Sequence, residues 1–368
     1  MPRVLGVDPG TLSLDLCGLD DDGVFLDAVL PTGDAGLADA ALAAIEGAAP
    51  LDLILGPAGY GLPLLPIEEV DERALRLAFL PDSGAGGGID GLRALVRRLA
   101  AARLPVLLPP GVVQLPTVPA HRKTNRIDMG TADKVCAAAL AILDQATRLR
   151  VPPADTAFIL VELGGAFTAV LAIEGGAIVD GCGGSSGPPG YLGAGALDGE
   201  VACLLGHVGK RTIFSGGAAY VAGAPDEPPE RLAARRDPAA RTARAALVEG
   251  VLRVVAGELA LAPGAREILL SGRLARVPAW RSALERVLAR LGPARPVRLV
   301  TPLAARCKEA AQGAAVLASG LAGGRYADIV EALRLREAAG AVLDHLYLDG
   351  AGARRAAILE WRADAKAS

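Results

Sequence analysis

The chain is poor in aromatic residues, histidine and lysine. Only 3% of its 368 residues are aromatic, so the core must be built mainly from aliphatic side chains. The 3 histidines stand singly, and the sequence offers no zinc site. Only 5 of the 38 basic residues are Lys, a bias that by itself indicates no function.

The five cysteines are odd in number and far apart, and no two form a CxxC pair. They exclude a disulfide scaffold and are typical of buried thiols in a reducing compartment. The N-terminal residues lack the pattern of a secretion signal. The longest uncharged stretches, 104–120 and 181–197, hold too much Pro and Gly for a membrane-spanning helix. We therefore expect a cytoplasmic protein without a membrane partner.

The chain also lacks an excess of positive charge. Its 38 Lys and Arg face 41 Asp and Glu, which gives a net charge of −3 at pH 7. Binding to a phosphate backbone usually needs a cationic excess, so we do not expect nucleic acid as a partner. With 52% hydrophobic and 21% charged residues, the composition is that of a globular protein long enough for two domains.

A pattern of three short apolar segments occurs twice. The first set is Val4–Val7, Leu14–Leu19 and Gly23–Leu30. The second set is Ala157–Leu163, Phe167–Ile173 and Ala177–Asp180. Each set predicts a three-stranded meander, and together they indicate two structural repeats offset by about half the chain.

Strands and helices alternate after each meander, which predicts an α/β protein with mixed sheets. The predicted strands are Leu51–Leu55, Pro105–Leu108, Glu267–Leu270 and Val297–Val300. The predicted helices are Leu37–Glu46, Ile89–Ala102, Thr131–Leu149, Thr242–Ala260, Ala279–Leu291, Lys308–Leu321 and Tyr326–His345. We expect the tail from Gly350 to pack back across the first half.

Asp8-Pro9-Gly10-Thr11 follows the first predicted strand. Pro and Gly are ordinary turn residues, and a turn explains the sequence adequately. The functional alternative is that Gly10 and Thr11 let backbone N–H groups and a hydroxyl approach an anion. Asp8 would then hold a hydrated Mg²⁺.

Glu162-Leu163-Gly164-Gly165 occupies the same place in the second meander. A glycine pair there is again typical of a turn. Two turns with an acid and glycine at equivalent points nevertheless favour a binding function. A nucleotide held between two halves needs phosphate contacts from each half. Together, the two turns predict a nucleotide site.

Two further motifs lie near the end of the second repeat. Ser271-Gly272 ends a buried strand, where a glycine would allow close approach of a flat or bulky ligand. The alternative is an ordinary strand-to-helix turn. Gln312-Gly313-Ala314-Ala315 predicts a helix that packs tightly.

Taken in order, these motifs resemble the superfamily of acetate kinase, heat-shock ATPases, hexokinase and actin. The similar stretches are its first phosphate turn at 4–11, its second at 161–165, its adenosine strand at 269–272 and its connecting helix at 312–315. The resemblance spans about residues 3–325. It implies two α/β half-domains of the ribonuclease H-like, actin-like ATPase type, with ATP and Mg²⁺ in the cleft between them.

Within that superfamily the chain resembles the acetate and butyrate kinase branch, through 173–180 and the glycine-rich stretch that runs to Gly199. The block 119–134 resembles a family of predicted butyrate kinases. The stretch 306–309 is similar to the one where the branch places a magnesium-binding Glu. The resemblance thus implies phosphate contacts at Gly10, Thr11, Gly164 and Gly165, adenosine contacts at Ser271 and Gly272, and Mg²⁺ ligands at Asp8, Glu162 and Glu309.

The chain departs from this pattern in several places. Glu162 stands where nucleotide-hydrolysing relatives usually have Asp, and Ala166 follows the glycines where a hydroxyl residue is common. The arginine-rich substrate motifs of acetate kinases are not legible in order.

Residues 121–134 form the densest polar block of the chain. A run of charges is often a solvated face. The alternative is a site loop in which Arg122 and Arg126 bind a carboxylate or the transferring phosphoryl group, while Asp128 faces the same cleft. We predict these three residues as catalytic.

The resemblance implies phosphoryl transfer from ATP to a small carboxylate, as in butyrate kinase, with an acyl phosphate as product. Two alternatives stay open: a nucleotide-gated ATPase or regulatory protein that is not a kinase, and a kinase for a hydroxyl acceptor. The expected half-domains are residues 1–150, with an insertion near 63–117, and residues 151–330, followed by a helical extension over 331–368. A homodimer is one option for the assembly.

Overall fold

The computed structural model describes residues 2–10, 13–32, 36–80, 88–292 and 295–360. Its strands are β1 (Val4–Pro9), β2 (Ser13–Asp20), β3 (Gly23–Pro31), β4 (Leu53–Leu55), β5 (Leu65–Pro66), β6 (Val106–Leu108), β7 (Phe158–Leu163), β8 (Thr168–Glu174), β9 (Ala177–Cys182), β10 (Ile268–Ser271) and β11 (Val297–Leu299).

The long predicted helices alternate with these strands. The helices of the described chain are α1 (Leu37–Gly47), α2 (Glu72–Phe79), α3 (Gly88–Ala101), α4 (Ala132–Leu149), α5 (Gly199–Leu205), α6 (Lys210–Ile213), α7 (Ala218–Val221), α8 (Pro229–Ala234), α9 (Pro238–Leu261), α10 (Pro278–Leu288), α11 (Glu309–Leu321), α12 (Ala327–Ala332) and α13 (Ala351–Glu360). Of these, α2 and the four short helices α5 to α8 were not predicted. Among the described helices, none combines the length and the apolar character needed to cross a membrane.

The strands form two sheets of the same design. In the first half the order is β3-β2-β1-β4-β6-β5, and in the second half it is β9-β8-β7-β10-β11. Each sheet begins with an antiparallel meander and continues with two strands parallel to the first strand of that meander. The first sheet has one more strand, the short β5, which is antiparallel to β6. This shared order is the ribonuclease H-like topology, and the two predicted meanders are confirmed.

The halves stack through a central layer of two helices. Along β7 the side chains alternate in the manner of a strand buried on both faces, with Phe158 and Leu160 toward one core and Ile159 and Val161 toward another. The inner core holds α4 and α11 between the two sheets. The outer faces are covered by α1 to α3 on the first sheet and by α7 to α10 on the second.

Glycine allows the closest approach within this central layer. A Cβ at Gly313 of α11 would lie 1.8 Å from the carbonyl oxygen of Cys136 on α4, and one at Gly6 of β1 would lie 2.1 Å from that of Ala311. The prediction of tight packing around Gly313 is confirmed. Because α4 and α11 touch through backbone, they form a rigid layer directly beneath the cleft.

The predicted helix over Tyr326–His345 is wrong. Only α12 is helical there, followed by a short 3-10 turn at Leu335–Glu337. Arg334 and Gly340 adopt positive φ values of 51° and 82°, which end the helix and turn the chain. The segment then crosses to the first half, where the Ala339 N–H donates to the Gln114 carbonyl. Farther on, α13 packs against α2, as expected for the tail.

Candidate active site

A cavity of about 280 Å³ lies where the two halves meet. Its lining includes residues that follow β1, β4 and β7, together with the start of α4 and of α11. Because β1 and β4 are parallel neighbours, their carboxyl ends open at the same edge of the first sheet. The predicted first and second phosphate turns both face this space, through Gly10 on one side and Gly164 and Gly165 on the other.

Asp8 is a buried carboxylate at the end of β1. It lies opposite Asp15 of β2 in the antiparallel register and is only 4% exposed. Burial raises the pKa of Asp8 to about 7, against the opposing effect of the Lys308 ammonium group. Its Oδ1 atom has no hydrogen-bond partner among the described residues.

Lys308 brings an ammonium group to the first turn. Its Nζ lies 3.1 Å from Asp15 Oδ2 and 3.8 Å from Asp8 Oδ2, and its backbone N–H donates to Asp15 Oδ1 at 3.0 Å. Asp27 on β3 anchors the preceding loop by accepting the backbone N–H groups of Ala305, Arg306 and Cys307. Two carboxylates of the first sheet therefore position a lysine that comes from the second half of the chain.

The second turn carries a buried ion-pair network. Lys134, near the start of α4, places Nζ 2.6 Å from Asp133 Oδ2 and 2.8 Å from Glu162 Oε2. Although burial alone lowers it, these two carboxylates raise the pKa of Lys134 well above its ordinary value. Burial in turn raises the pKa of Glu162. The network fixes α4 to the end of β7.

The glycines of both turns stand where side chains would collide. A Cβ at Gly10 would lie 2.0 Å from Lys308 Nζ, and one at Gly164 would lie 3.1 Å from the Phe167 carbonyl oxygen. That carbonyl accepts the backbone N–H of Gly164 and closes the turn. A side chain at Gly10 would displace the lysine ammonium group, and one at Gly164 would crowd the backbone, so both positions favour glycine.

The predicted magnesium ligands Asp8, Glu162 and Glu309 all line the cavity. Glu162 is paired with Lys134, and Glu309 is paired with Arg276 at 2.7 Å. Within the described ranges no group of three or more His, Cys, Asp or Glu is arranged to hold a metal ion. The unpartnered Oδ1 of Asp8 fits one carboxylate contact to a hydrated Mg²⁺, which usually keeps several waters and phosphate ligands.

The structure brings Asp128 to the cavity, where it holds a glycine-rich loop. Asp128 Oδ2 accepts two hydrogen bonds from Ser185, one from its backbone N–H at 2.9 Å and one from its side-chain hydroxyl at 2.8 Å. A Cβ at Gly183 would lie 1.6 Å from Asp128 Oδ1. Asp128 therefore positions the loop that presents Ser185 to the cavity.

Arg122 and Arg126 are not brought into the cavity lining. Arg122 donates to the Val179 carbonyl at 2.8 Å, and Arg126 donates to the Gly181 carbonyl at 2.6 Å and lies 3.3 Å from Asp180 Oδ1. Both guanidinium groups donate hydrogen bonds to backbone carbonyls of β9. These hydrogen bonds join the 121–126 segment to the second sheet. A contact of either arginine with a phosphoryl group stays a prediction.

The remaining predicted residues lie near the cavity or outside the described chain. Ser271 pairs with Glu162 in the register of β10 and β7, and its hydroxyl is buried. Gly272 has φ 88°, and a Cβ there would lie 2.4 Å from the Leu163 carbonyl oxygen. Neither residue lines the cavity, whereas Arg273 does. Thr11 lies outside the described residues.

Sequence reasoning missed the lysines of this cavity. The chain has five lysines, and among the described residues three of them line the cavity: Lys134, Lys210 and Lys308. Four aromatic residues of the described ranges line it as well: Tyr60, Phe79, Phe167 and Phe214. Most basic residues of this chain are Arg, so the few lysines were the signal that could have pointed to the site. A compact ammonium group differs chemically from a guanidinium group. Such a lining can bind a polyanion beside an apolar group.

Solved structures with this architecture include acyl kinases. A propionate kinase from Francisella tularensis aligns with a TM-score of 0.60 at 15% identity, covering 85% of this chain and 99% of that one. An acetate kinase from Porphyromonas gingivalis gives 0.59 at 13%, covering 85% and 98%. One from Entamoeba histolytica gives 0.55 at 12%, covering 79% and 87%. At these identities the likeness establishes the fold.

The fold class is therefore confirmed as α/β with two ribonuclease H-like halves of the actin-like ATPase type. A comparison with curated proteins finds no match. A family model covers residues 6–348, nearly the whole span of the two sheets and the crossing segment, so the chain belongs to the family described as protein of unknown function (DUF1464).

Proposed function

We propose that this protein is an ATP-dependent phosphotransferase whose acceptor is a small carboxylate, with an acyl phosphate as product. The observation that carries the proposal is the convergence of both glycine turns and three lysines on one cavity between the halves. The fold shared with acetate and propionate kinases supports it.

The phosphate-binding groups come from both halves of the molecule. Gly10 and Gly164 leave room for close backbone approach, and Lys308 and Lys134 supply positive charge beside them. Both lysines are paired with carboxylates in the structure, so an incoming polyphosphate would compete for ammonium groups that are already positioned. Fixed cations of this kind stabilise the charge of a transferring phosphoryl group.

Mg²⁺ would be held through Asp8 and the phosphates, and when bound it would neutralise phosphate charge. The chain's own contribution is to keep the Asp8 carboxylate buried and unobstructed at Oδ1. Glu162 holds Lys134 at the cavity, and Glu309 is paired with Arg276.

The transfer step needs no general base when the acceptor is a carboxylate. A carboxylate oxygen forms a bond to the γ-phosphorus, and the bond from that phosphorus to its bridging oxygen breaks, its electron pair staying on ADP. The acid is already ionised at pH 7, so no proton has to be removed. Catalysis then consists of positioning and charge stabilisation, which the lysines and the glycine turns can provide.

A hydroxyl acceptor would need a base, and Asp128 is the carboxylate of the cavity that could act as one. Its oxygens, however, accept hydrogen bonds from Ser185 and from the Gly130 N–H. This engagement favours a positioning role for Asp128 and supports the carboxylate acceptor.

The test is a hydroxylamine trap. Incubation with ATP, Mg²⁺ and straight-chain acids should give a hydroxamate and acid-dependent release of ADP. Slow ATP hydrolysis that no acceptor stimulates would instead favour the nucleotide-gated ATPase. Stimulation by a sugar or polyol, lost in Asp128→Asn, would replace the carboxylate by a hydroxyl acceptor.

A further inference from the structure

We propose that Ser185 is a site of self-phosphorylation, at which the serine takes the γ-phosphoryl group of an ATP molecule bound in the cavity and Asp128 removes the hydroxyl proton. Both residues line the cavity. The inference rests on the part of the proposed function that places ATP there, and it does not depend on which external acceptor the protein uses.

A buried carboxylate holds the Ser185 hydroxyl. Asp128 is only 8% exposed, and its Oδ2 accepts that hydroxyl at 2.8 Å. Its Oδ1 accepts the Gly130 N–H at 3.3 Å. Among the described residues, no Lys or Arg forms an ion pair with Asp128, so no cation competes for this carboxylate. A carboxylate in hydrogen-bond contact with a serine hydroxyl can accept its proton as the oxygen attacks an electrophile.

The position of Ser185 relative to Asp128 is fixed by the backbone around it. The Gly183 N–H donates to the Asp128 carbonyl at 3.0 Å, and the Ser186 hydroxyl donates to the same carbonyl. The Ser185 N–H donates to Asp128 Oδ2 at 2.9 Å. Three hydrogen bonds besides that of the Ser185 hydroxyl therefore hold the loop against Asp128, which keeps the hydroxyl and its base in place.

The loop that carries Ser185 also packs beside the second turn. The Phe167 carbonyl accepts the Gly164 N–H at 2.9 Å and closes that turn. Gly184 lies directly on Phe167, because a Cβ at Gly184 would be 2.5 Å from the Phe167 Cβ. Gly164 and Gly184 both line the cavity. We therefore expect a phosphate held at the second turn to lie near the Ser185 hydroxyl.

Thr131 is the other aliphatic hydroxyl among the described lining residues. Its hydroxyl donates to Asp133 Oδ1, but the other oxygen of Asp133 lies 2.6 Å from Lys134 Nζ. Although burial alone raises it, the charge of this lysine lowers the pKa of Asp133. A carboxylate stabilised in this way is a poor proton acceptor, so the surroundings favour Ser185 over Thr131.

The transfer step is a displacement at the γ-phosphorus. Ser185 Oγ forms a bond to that phosphorus, and the bond from the phosphorus to its bridging oxygen breaks, its electron pair staying on ADP. The hydroxyl proton passes to Asp128 Oδ2 and from there to water. Lys134 and Lys308, which line the same cavity, stabilise the charge of the transferring group. The product is a phosphoserine.

The experiment incubates the full chain with ATP and Mg²⁺ in the absence of any acid and follows the intact mass and the phosphopeptides by mass spectrometry. We expect the mass to rise by one phosphoryl group and the peptide map to place that group on Ser185. The ester should resist hydroxylamine, which cleaves an acyl phosphate formed on a carboxylate. Because the hydroxyl and the ATP share one cavity, the labelling rate per molecule should not depend on the protein concentration.

Three variants test the roles of the two residues. Ser185→Ala should give no phosphorylated product. Asp128→Asn keeps an oxygen that can accept the Ser185 N–H but cannot take a proton, so we expect it to slow labelling by about 100-fold or more. Ser186→Ala is the matched control, because it removes the neighbouring hydroxyl, which contacts the Asp128 carbonyl and not its carboxylate. This variant should still be labelled on Ser185.

Calorimetry with ATP separates the failure of this inference from that of the proposed function. A wild type that binds ATP but stays unlabelled, or is labelled at Thr131 or Ser186, would overturn the assignment of Ser185 and leave the proposed kinase intact. Equally fast labelling of Asp128→Asn and the wild type would overturn the role of Asp128. A rate that rises with protein concentration would overturn transfer within one molecule.

Two results bear on the proposed function itself. If the wild type binds no ATP, the nucleotide site fails and both proposals fail with it. Labelling of Ser185 without a hydroxamate from any acid would support this inference and contradict the carboxylate acceptor. The peptide map of the wild type identifies the site without any substitution, so a variant that misfolds does not decide the outcome.

Discussion

Several buried carboxylates of the described chain are paired with cations, but Glu258 is not. Glu162, Glu267 and Glu309 are paired with Lys134, Arg148 and Arg276 respectively. Glu258 on α9 is equally buried, at 4% exposed, but its Oε1 accepts only the Cys182 thiol at 3.5 Å, and its Oε2 has no hydrogen-bond partner in the described chain. Desolvation raises the pKa of Glu258 to about 7. The folded protein therefore favours the protonated acid.

This raised pKa predicts a pH-dependent stability that Glu258→Gln removes. Below about pH 4.5 both folded and unfolded states hold the proton, so the group has no effect. As the pH rises to about 7 only the folded state stays protonated, so the wild type loses stability, by about 3 kcal/mol in total, and loses no more above that. Glu258→Gln should thus be more stable than the wild type at about pH 8 and similar at about pH 5.

Urea unfolding at both pH values measures this difference. Glu249→Gln, at an exposed position of the same helix, is the control and should change little at either pH. An equal effect of Glu258→Gln at both pH values would contradict the raised pKa of Glu258.

At the residue scale, local chemistry made the positions of the two glycine turns predictable. A carboxylate followed by glycine marks a turn in the sequence itself, and Asp8, Glu162, Gly10 and Gly164 do meet at one cavity. Lys210 reaches Tyr60 only because the fold brings residues 150 positions apart together. Arg122 and Arg126 show the converse, since their nearness in sequence to Asp128 did not place them in the cavity.

At the scale of elements, periodicity predicted the strands and long helices well but the C-terminal segment poorly. The alternation along β7 and the apolar stripe of α4 are local properties of the sequence. Residues after α12 are also apolar, yet they are buried by crossing onto the first half, with Val342 and Leu343 in the central core. The apolar residues of this segment thus indicated that it is buried, but they did not indicate whether it is helical.

The contact between α4 and α11 predicts a severe effect of Gly313→Ala. The added methyl group would lie 1.8 Å from the Cys136 carbonyl oxygen, which is backbone and cannot rotate away. We expect a loss of about 3 kcal/mol in the free energy of unfolding. Gly257→Ala on α9 is the matched control, because its Cβ would meet open space. It should raise stability by about 0.5 to 1 kcal/mol, since alanine favours a helix. Similar denaturation midpoints for both variants would contradict the packing described for the central layer.

At the scale of the whole molecule, the two halves share one strand order, and each supplies one turn to the cavity. The central helices hold the halves together, while Lys210 and Tyr60 touch across the open side. A ligand that engages both turns would therefore favour one angle between the halves. The repeat was visible in the sequence as two meanders, but their facing arrangement depends on the packing of α4 against α11.

This arrangement predicts that nucleotide binding needs both halves at once. Asp8→Ala in the first turn should weaken Mg·ATP more than ATP without metal, because it removes the buried carboxylate and leaves Lys308 held by Asp15. Gly165→Val in the second turn should weaken the binding of ATP with and without metal, because it adds a branched side chain at a position that faces the cavity.

Isothermal titration calorimetry with ATP, with and without Mg²⁺, measures each case, and Arg211→Ala, a change at an exposed position, should bind ATP like the wild type. If both turn variants kept the wild-type affinity, the cavity between the halves would not be the nucleotide site. If only one lost it, ATP would bind to a single half and could not link the two.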